Sequence, residues 1–145
     1  AFLRRTTSWL KGPKAPATVV VAAGHCEWMA IGVEDWLLPG LLQSWGYTIQ
    51  GAPGPLTDAA LADAGVLIIG NAWGDFQPEE LAAIERFVRK GGGVLLAGLG
   101  WSWADNAADP QFACEGSPAR TAPVDMAIYP MNVLGARFGV EWTKE

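Results

Sequence analysis

The side chains best suited to chemistry follow three short apolar runs of the sequence. Residues 18–23, 66–69 and 94–97 read as strands buried on both faces, because they are apolar, β-branched in part and bounded by glycine or polar residues. If the strands are parallel, their carboxyl ends meet at one edge of a sheet, where ligands of open α/β folds bind. The groups that follow these runs are His25, Cys26 and Glu27; Asn71, Trp73 and Asp75; and Trp101, Ser102 and Trp103.

Ser102 is the first candidate nucleophile. It lies in the run GWSWA, which is one residue short of a GxSxG nucleophile elbow and follows a predicted strand. His25 is the only histidine, so a serine hydrolase would need it as general base. The residues after Trp103, DNAADP, do not predict a helix that could support an oxyanion. We therefore interpret Ser102 as a polar loop residue, with a hydrolase as the alternative.

Cys26 is the second candidate, since a cysteine beside His25 has the residue types of a thiol nucleophile and its base. Neighbouring residues of an extended chain point to opposite sides, which favours a buried or disulfide-bonded cysteine instead. A Cys26–Cys114 disulfide would indicate a secreted protein, whereas two free cysteines are equally compatible with the sequence. No CxxC or HxxxH spacing is present, so we predict no metal site and no cofactor.

Tryptophans suggest a third chemistry, which is binding. The chain contains eight, and Trp73, Trp101 and Trp103 lie at predicted strand ends with Asn71 and Asp75 nearby. Aromatic faces beside polar groups suit stacking on a ligand such as a sugar ring. The alternative is that these tryptophans fill a core beneath a long loop over residues 104–123.

The elements that position these residues are clearest in residues 65–103. A helix begins at Pro78, with Glu79 and Glu80 in its first turn, and ends at a run of three glycines at 91–93. With a strand on each side, this pattern predicts a βαβ unit.

The whole chain is predicted to be a flavodoxin-like three-layer α/β domain with a mostly parallel sheet of order 2-1-3-4. Residues 1–16 form an N-terminal helix and linker, and residues 17–145 form the domain. We expect a helical region over 28–45 broken near Pro39 and Gly40, a strand at 47–50 and a short helix from Thr57. The long loop is then followed by an extended piece at 124–129, a helix at 131–138 and a terminal strand at 140–143.

Composition excludes several classes of function. Half of the 145 residues are hydrophobic and the net charge is −5, which argues against nucleic acid as a partner. No apolar run reaches the ~20 residues of a membrane span, so we predict a soluble chain. Because the sequence begins at Ala1 without methionine, we expect it to belong to a longer protein.

The runs VLIIGNAWGDF, IERFVRKGGGVLLAGLGWSWA and IYPMNVLGARFGVEWT together resemble class I glutamine-amidotransferase-like domains. The likeness is to the degenerate type found beside M60-like (enhancin-type) metallopeptidase domains. Active relatives carry a cysteine in the turn after the strand at 94–97, where this sequence has Gly98, Leu99 and Gly100. It also lacks their late histidine and the HExxH motif of the peptidases. The resemblance therefore implies a pseudoenzyme, an accessory domain that binds a ligand, glycan or partner domain.

Overall fold

A computed structural model describes residues 2–28 and 37–145. Its centre is a four-stranded, wholly parallel sheet in the order β2-β1-β3-β4. The strands are β1 Thr18–Ala22, β2 Thr48–Ala52, β3 Val66–Gly70 and β4 Gly93–Ala97. The predicted fold class and strand order are confirmed.

Helices cover both faces of this sheet, which gives the three layers of a flavodoxin-like sandwich. The helices are α1 Phe2–Lys11, α2 Leu37–Ser44, α3 Pro78–Arg89, α4 Gly100–Asn106 and α5 Pro130–Gly135. In β1, Val19 and Val21 face the layer that contains Leu10 and Leu42, whereas Val20 faces the other layer. Strand alternation thus divides an all-apolar strand between two cores.

The N-terminal helix α1 packs on the sheet. Gly93 lies directly against the backbone of Leu10, and Gly65 lies against the carbonyl of Pro16, so both positions have no room for a side chain. Residues 2–16 therefore contribute to the packing of the domain.

Helix α3 forms where its local signals predict. Pro78 occupies its first turn, and a capping box joins Gln77 to Glu80 at its N-terminus. Leu81, Ile84 and Phe87 are buried on its inner face.

Two expectations for the first half of the chain are wrong. Helix α2 runs through Pro39 and Gly40, because Pro39 lies in its first turn, where the missing N–H has no intrahelical acceptor. The predicted helix from Thr57 is instead a series of turns over 58–63. The part of the predicted helical region at residues 29–36 lies outside the described residues.

Three expectations for the second half also need correction. Residues 104–123 are not one long loop, since α4 begins at Gly100 and a 3-10 turn spans Pro110–Phe112. Residues 126–128 form another 3-10 turn instead of an extended piece, and 140–143 do not form a strand. The predicted last helix is present as α5 and the 3-10 turn Ala136–Phe138.

Among residues 2–28 and 37–145, none of the helices combines the length and apolar character that crossing a membrane requires.

Candidate functional site

The turn between β4 and α4 links a strand to a helix, which is the setting in which an α/β hydrolase carries its nucleophile. Gly98 and Leu99 form this turn, and Gly100 begins α4. The Leu99 N–H donates to Asn71 Oδ1 at 3.1 Å and lies 3.3 Å from the Tyr129 hydroxyl oxygen. The Tyr129 hydroxyl also donates to Asn71 Oδ1. The Leu99 N–H is therefore already engaged within the protein.

Asn71 holds this arrangement from the end of β3. Its φ of 54° is in the left-handed region, which asparagine tolerates better than most residues. Asn71 and Tyr129 are both buried, and burial raises the pKa of Tyr129 to about 12. The phenol therefore stays neutral and keeps its proton for the hydrogen bond to Asn71.

The C-terminal segment covers the same turn. The Trp142 indole lies over Gly98, and the carbonyl of Thr143 lies against Gly100. Asn132 fixes this segment, since its amide donates to the carbonyl of Trp142 at 2.9 Å and accepts from the Trp142 N–H at 2.7 Å. One side chain thus provides the backbone pairing that a neighbouring strand would give, and 140–143 packs without being in the sheet.

His25 is bonded to carboxylates and not to a nucleophile. Its Nε2 lies 3.0 Å from Glu80 Oε1, and its Nδ1 lies 3.4 Å from Glu27 Oε1. All three side chains are buried. Within the described residues His25 makes no hydrogen bond to Ser102, so the structure does not assemble the serine–histidine pair of the alternative hypothesis. Ser102 itself lies in helix α4, which directly follows the turn after β4. The expectation that Ser102 is a loop residue with no helix after the turn is therefore wrong.

Charge stabilises this buried cluster. Burial lowers the pKa of His25, but its contacts with the Glu27 and Glu80 carboxylates and their negative charges outweigh burial, so the pKa is raised. Burial raises the pKa of Glu80, but the N–H groups of Gln77 and Leu56 and the contact with His25 outweigh it, so that pKa is lowered. An imidazolium between carboxylates is a structural ion pair in this geometry.

Cys26 is bonded to Cys114 in a disulfide, which excludes it as a nucleophile in this structure. Its φ of 51° lies in the left-handed region, so the chain turns between His25 and Glu27. Gly74 fits between the disulfide and the His25 backbone, and its N–H donates to the His25 carbonyl at 2.7 Å. The loop after β1 is thereby fixed to the loop after β3.

The predicted binding tryptophans divide into core and surface. Trp73 and Trp103 are 3% and 1% exposed and meet edge to face at 5.6 Å, and Trp103 stacks on Tyr129 at 5.1 Å. Trp101, by contrast, is 53% exposed. Trp73 and Trp103 lie in the core, because their rings pack against each other beneath residues 107–120, and Asn71 is buried as well. Ligand contact by these residues stays a prediction.

Asp75, another predicted binding residue, forms an ion pair with Arg120 within the domain. Arg120 donates to its Oδ1 at 2.6 Å, and the guanidinium lies 5.4 Å from the centre of the Trp103 ring. Asp75 therefore fixes the segment that closes the aromatic core.

A shallow depression of about 510 Å³ opens beside these loops at the carboxyl end of the sheet. His25, Asp75 and Glu80 contribute to its walls, together with backbone of the loops at 53–55 and 114–118. The described part of the chain contains no cluster of histidine, cysteine and carboxylate side chains arranged to hold a metal ion.

Four residues of this region escaped the sequence-based prediction, namely Glu80, Tyr129, Asn132 and Trp142. Glu80 had a detectable signal, since a glutamate three residues after Gln77 is typical of a capping box. The contact between Glu80 and His25 had no detectable signal in the sequence, because the two residues are 55 positions apart. Tyr129, Asn132 and Trp142 act through contacts that depend on the folded chain.

No protein-family model and no curated protein matches this chain. Among solved structures, a chain described as "mmIFT52 N-terminal domain" is similar, with a TM-score of 0.53 and 21% sequence identity. The match covers 59% of this chain and 37% of that one, so it spans little more than a third of the solved chain. At this identity the likeness supports the α/β fold and nothing about activity.

Proposed function

We propose that this chain is a non-catalytic, amidotransferase-like accessory domain that binds a partner at the carboxyl end of its sheet. The observation that carries the proposal is the turn after β4. By the resemblance, Gly98, Leu99 and Gly100 stand where an active amidotransferase has its cysteine, and the Leu99 N–H is bonded to Asn71. Neither leucine nor glycine can form a thioester.

The alternative, a hydrolase that uses Ser102 or Cys26 with His25, is less well supported. Cys26 has no thiol in the disulfide form, and His25 faces Glu80 and Glu27. A base that is held in an ion pair and raised in pKa is protonated over more of the pH range, so it accepts a proton less readily.

The face around the turn has the character of a binding surface. Leu99 and Trp101 are 46% and 53% exposed. The turn at Met126–Ile128 packs against α4 and adds the exposed side chain of Ile128. Exposed aromatic and aliphatic side chains that adjoin one another mark interaction sites.

This face suits a protein better than a glycan. A sugar site needs polar groups beside the aromatic ring, and the two predicted ones, Asn71 and Asp75, bond within the domain. We therefore infer that the partner is a protein surface, either an adjacent domain of the same chain or a separate protein, with glycan binding as the other outcome to test.

Catalysis is tested by treating the native protein with thiol-directed and serine-directed electrophiles and by assaying glutamine hydrolysis. We expect no stoichiometric label and no ammonia release. Stoichiometric labelling of Ser102 that His25→Ala abolishes would show that the domain is an enzyme.

The placement of one tryptophan on the surface and one in the core is tested by comparing Trp101 and Trp103, which are two residues apart. Trp101→Ala should change the free energy of unfolding by no more than about 0.5 kcal/mol, as is usual for surface positions. Trp103→Ala should cost about 3–5 kcal/mol, because it empties a buried ring site. Urea unfolding monitored by circular dichroism measures both.

The partner itself is sought with a photo-crosslinking residue at position 101 of the full-length protein. The same residue at the exposed position Asp63, on the 58–63 turns, is the control. A protein crosslinked from 101 and not from 63 supports the proposal. If Trp101→Ala instead abolishes binding on a glycan array, the partner class is wrong.

A further inference from the structure

The outer edge of β4 is open. Strand order places β4 at the border of the sheet, where it pairs with β3 alone. Gly93 donates to Gly65, and Ala97 accepts from Asn71, so the main-chain groups of Gly93 and Ala97 point toward β3. By strand alternation, the N–H and C=O groups of Val94 and Leu96 point away from it. In the part of the chain that the structure describes, these groups have no hydrogen-bond partner.

A groove of about 430 Å³ runs along this edge. Side chains of α1 form one wall of the groove. Val88 of α3 and residues 138–142 form the other wall. Ten residues line the groove and none is charged: Thr6, Trp9, Leu10, Val88, Val94, Leu95, Leu96, Phe138, Val140 and Trp142. Exposed sheet edges are normally protected by charged side chains, proline or a covering element, and this one has only its two apolar walls.

The two walls define the chemistry of what fits between them. Leu95 packs with Leu10 in one core layer, whereas Val94 and Leu96 pack with Phe138 and Trp142 in the other. A strand beside β4 would therefore meet apolar side chains on both of its faces. Such a strand must be apolar at successive positions, as β1 and β3 are.

We propose that this groove binds an extended, uncharged segment of another polypeptide, which pairs with the main chain of Val94 and Leu96 as a fifth strand. Main-chain hydrogen bonds provide the affinity of such strand addition, and the apolar walls provide its specificity.

A free strand fits this groove better than the β4 edge of a second copy. That edge carries its own walls, with Trp9 78% exposed on one side and Val140 43% exposed on the other. In an edge-to-edge dimer these walls would meet before the two strands could pair. A segment with no flanking elements avoids that obstruction.

The test uses a fluorescein-labelled peptide, KKTVVVAKK, whose centre is the sequence of β1. Its control is a twin with N-methyl groups on alternate valines, which keeps the side chains and charge but removes main-chain donors. Fluorescence anisotropy should give saturable binding of the first peptide with a Kd below about 1 mM, and at least about tenfold weaker binding of the twin.

Variants locate the binding. Trp9→Glu and Val140→Lys place a charge at either wall and should weaken binding about tenfold or more. Ile128→Lys changes a comparably exposed position outside the groove and should leave peptide binding unchanged. Trp101→Ala should also leave peptide binding unchanged. Because Trp101 belongs to the face of the proposed function, this variant distinguishes failure of that proposal from failure of this one. Circular dichroism confirms that each variant is folded.

Four results would overturn the inference. Three come from the peptide assay: no saturable binding, equal binding of the N-methylated twin, or equal binding by the wall variants. The fourth is a dimer in sedimentation that Val140→Lys dissociates, since the groove would then be filled by a second copy.

Discussion

At the scale of single residues, the most informative group is His25 between Glu27 and Glu80. Each carboxylate also accepts a backbone N–H: Glu27 from His25 itself at 2.7 Å, and Glu80 from Leu56 at 2.8 Å. The cluster therefore joins the loop after β1, the loop after β2 and the start of α3. A buried charge left without its partner is costly, so this cluster should control stability more than any surface ion pair does.

The first prediction at this scale is that the free energy of unfolding depends on pH through this cluster. Because the folded pKa of His25 is raised, its stabilisation is fully present below about pH 6.5, the unfolded value, and is lost as pH rises through the folded pKa. Glu80 has a lowered folded pKa, so its contribution is present above its unfolded pKa and is lost as pH falls through the folded value. His25→Gln should lower the free energy of unfolding by about 3 kcal/mol at pH 6, and by less at higher pH.

Urea unfolding of both proteins between pH 5 and about pH 9 checks this prediction. Glu80→Gln should likewise lower the free energy of unfolding near neutral pH, because it removes a buried partner of His25. Glu79→Gln is its matched control, because Glu79 is exposed on the same turn of α3. Parallel stability curves for the wild type and His25→Gln would show that the imidazole does not gain a proton on folding.

At the scale of elements, close packing of the C-terminal segment on α4 leads to a second prediction. A methyl group on Gly100 would overlap the carbonyl oxygen of Thr143, whereas one on Gly40, in α2, would meet nothing within 4 Å. Gly100→Ala should therefore cost about 1–3 kcal/mol by overpacking. Gly40→Ala should stabilise the protein by about 0.4–1 kcal/mol, because it restricts the unfolded chain without a clash.

The two alanine variants make the same chemical change in two helices, so differential scanning calorimetry can compare them directly. A loss of stability in Gly100→Ala that persists after residues 140–145 are deleted would contradict the explanation, since the obstructing carbonyl is then absent.

The same elements show what the sequence could reveal. Helix α3 could be predicted because Pro78 and the glycines at 91–93 mark its two ends locally. The strands could be predicted because each is a short apolar run, and their alternation with helices predicts a parallel sheet and its order. Helix α4 could not, because Trp103 is held by Tyr129, 26 positions later. Residues 140–143 have the composition of a strand, but the main chain of Trp142 is hydrogen-bonded to the Asn132 side chain and not to a neighbouring strand. The exposure of Trp101 beside a buried Trp103 likewise depends on the tertiary fold.

At the scale of the whole molecule, one covalent bond joins parts that are distant in the chain. The Cys26–Cys114 disulfide, whose ends are 88 positions apart in sequence, ties the loop after β1 to the segment that covers Trp73 and Trp103. Arg120 also holds the segment, through Asp75 and the Trp103 ring. In addition, the Asp75 N–H donates to Ser117 Oγ at 3.4 Å, and the Phe112 ring packs against Trp73. The disulfide should therefore stabilise the whole fold and also keep the aromatic core closed.

Replacing both cysteines by serine tests these two effects. Loss of a crosslink of this length should cost about 4–5 kcal/mol in the chain-entropy model and lower Tm by about 10–20 °C. Reduced wild type should behave like the double variant, and amide exchange should rise first in residues 107–120, which lose their covalent attachment. If the variant instead keeps wild-type stability and slow exchange there, the non-covalent contacts, including that of Arg120, hold the segment without the disulfide. Arg120→Ala in the serine background would then release it, and intrinsic fluorescence of the newly exposed tryptophans would report the opening.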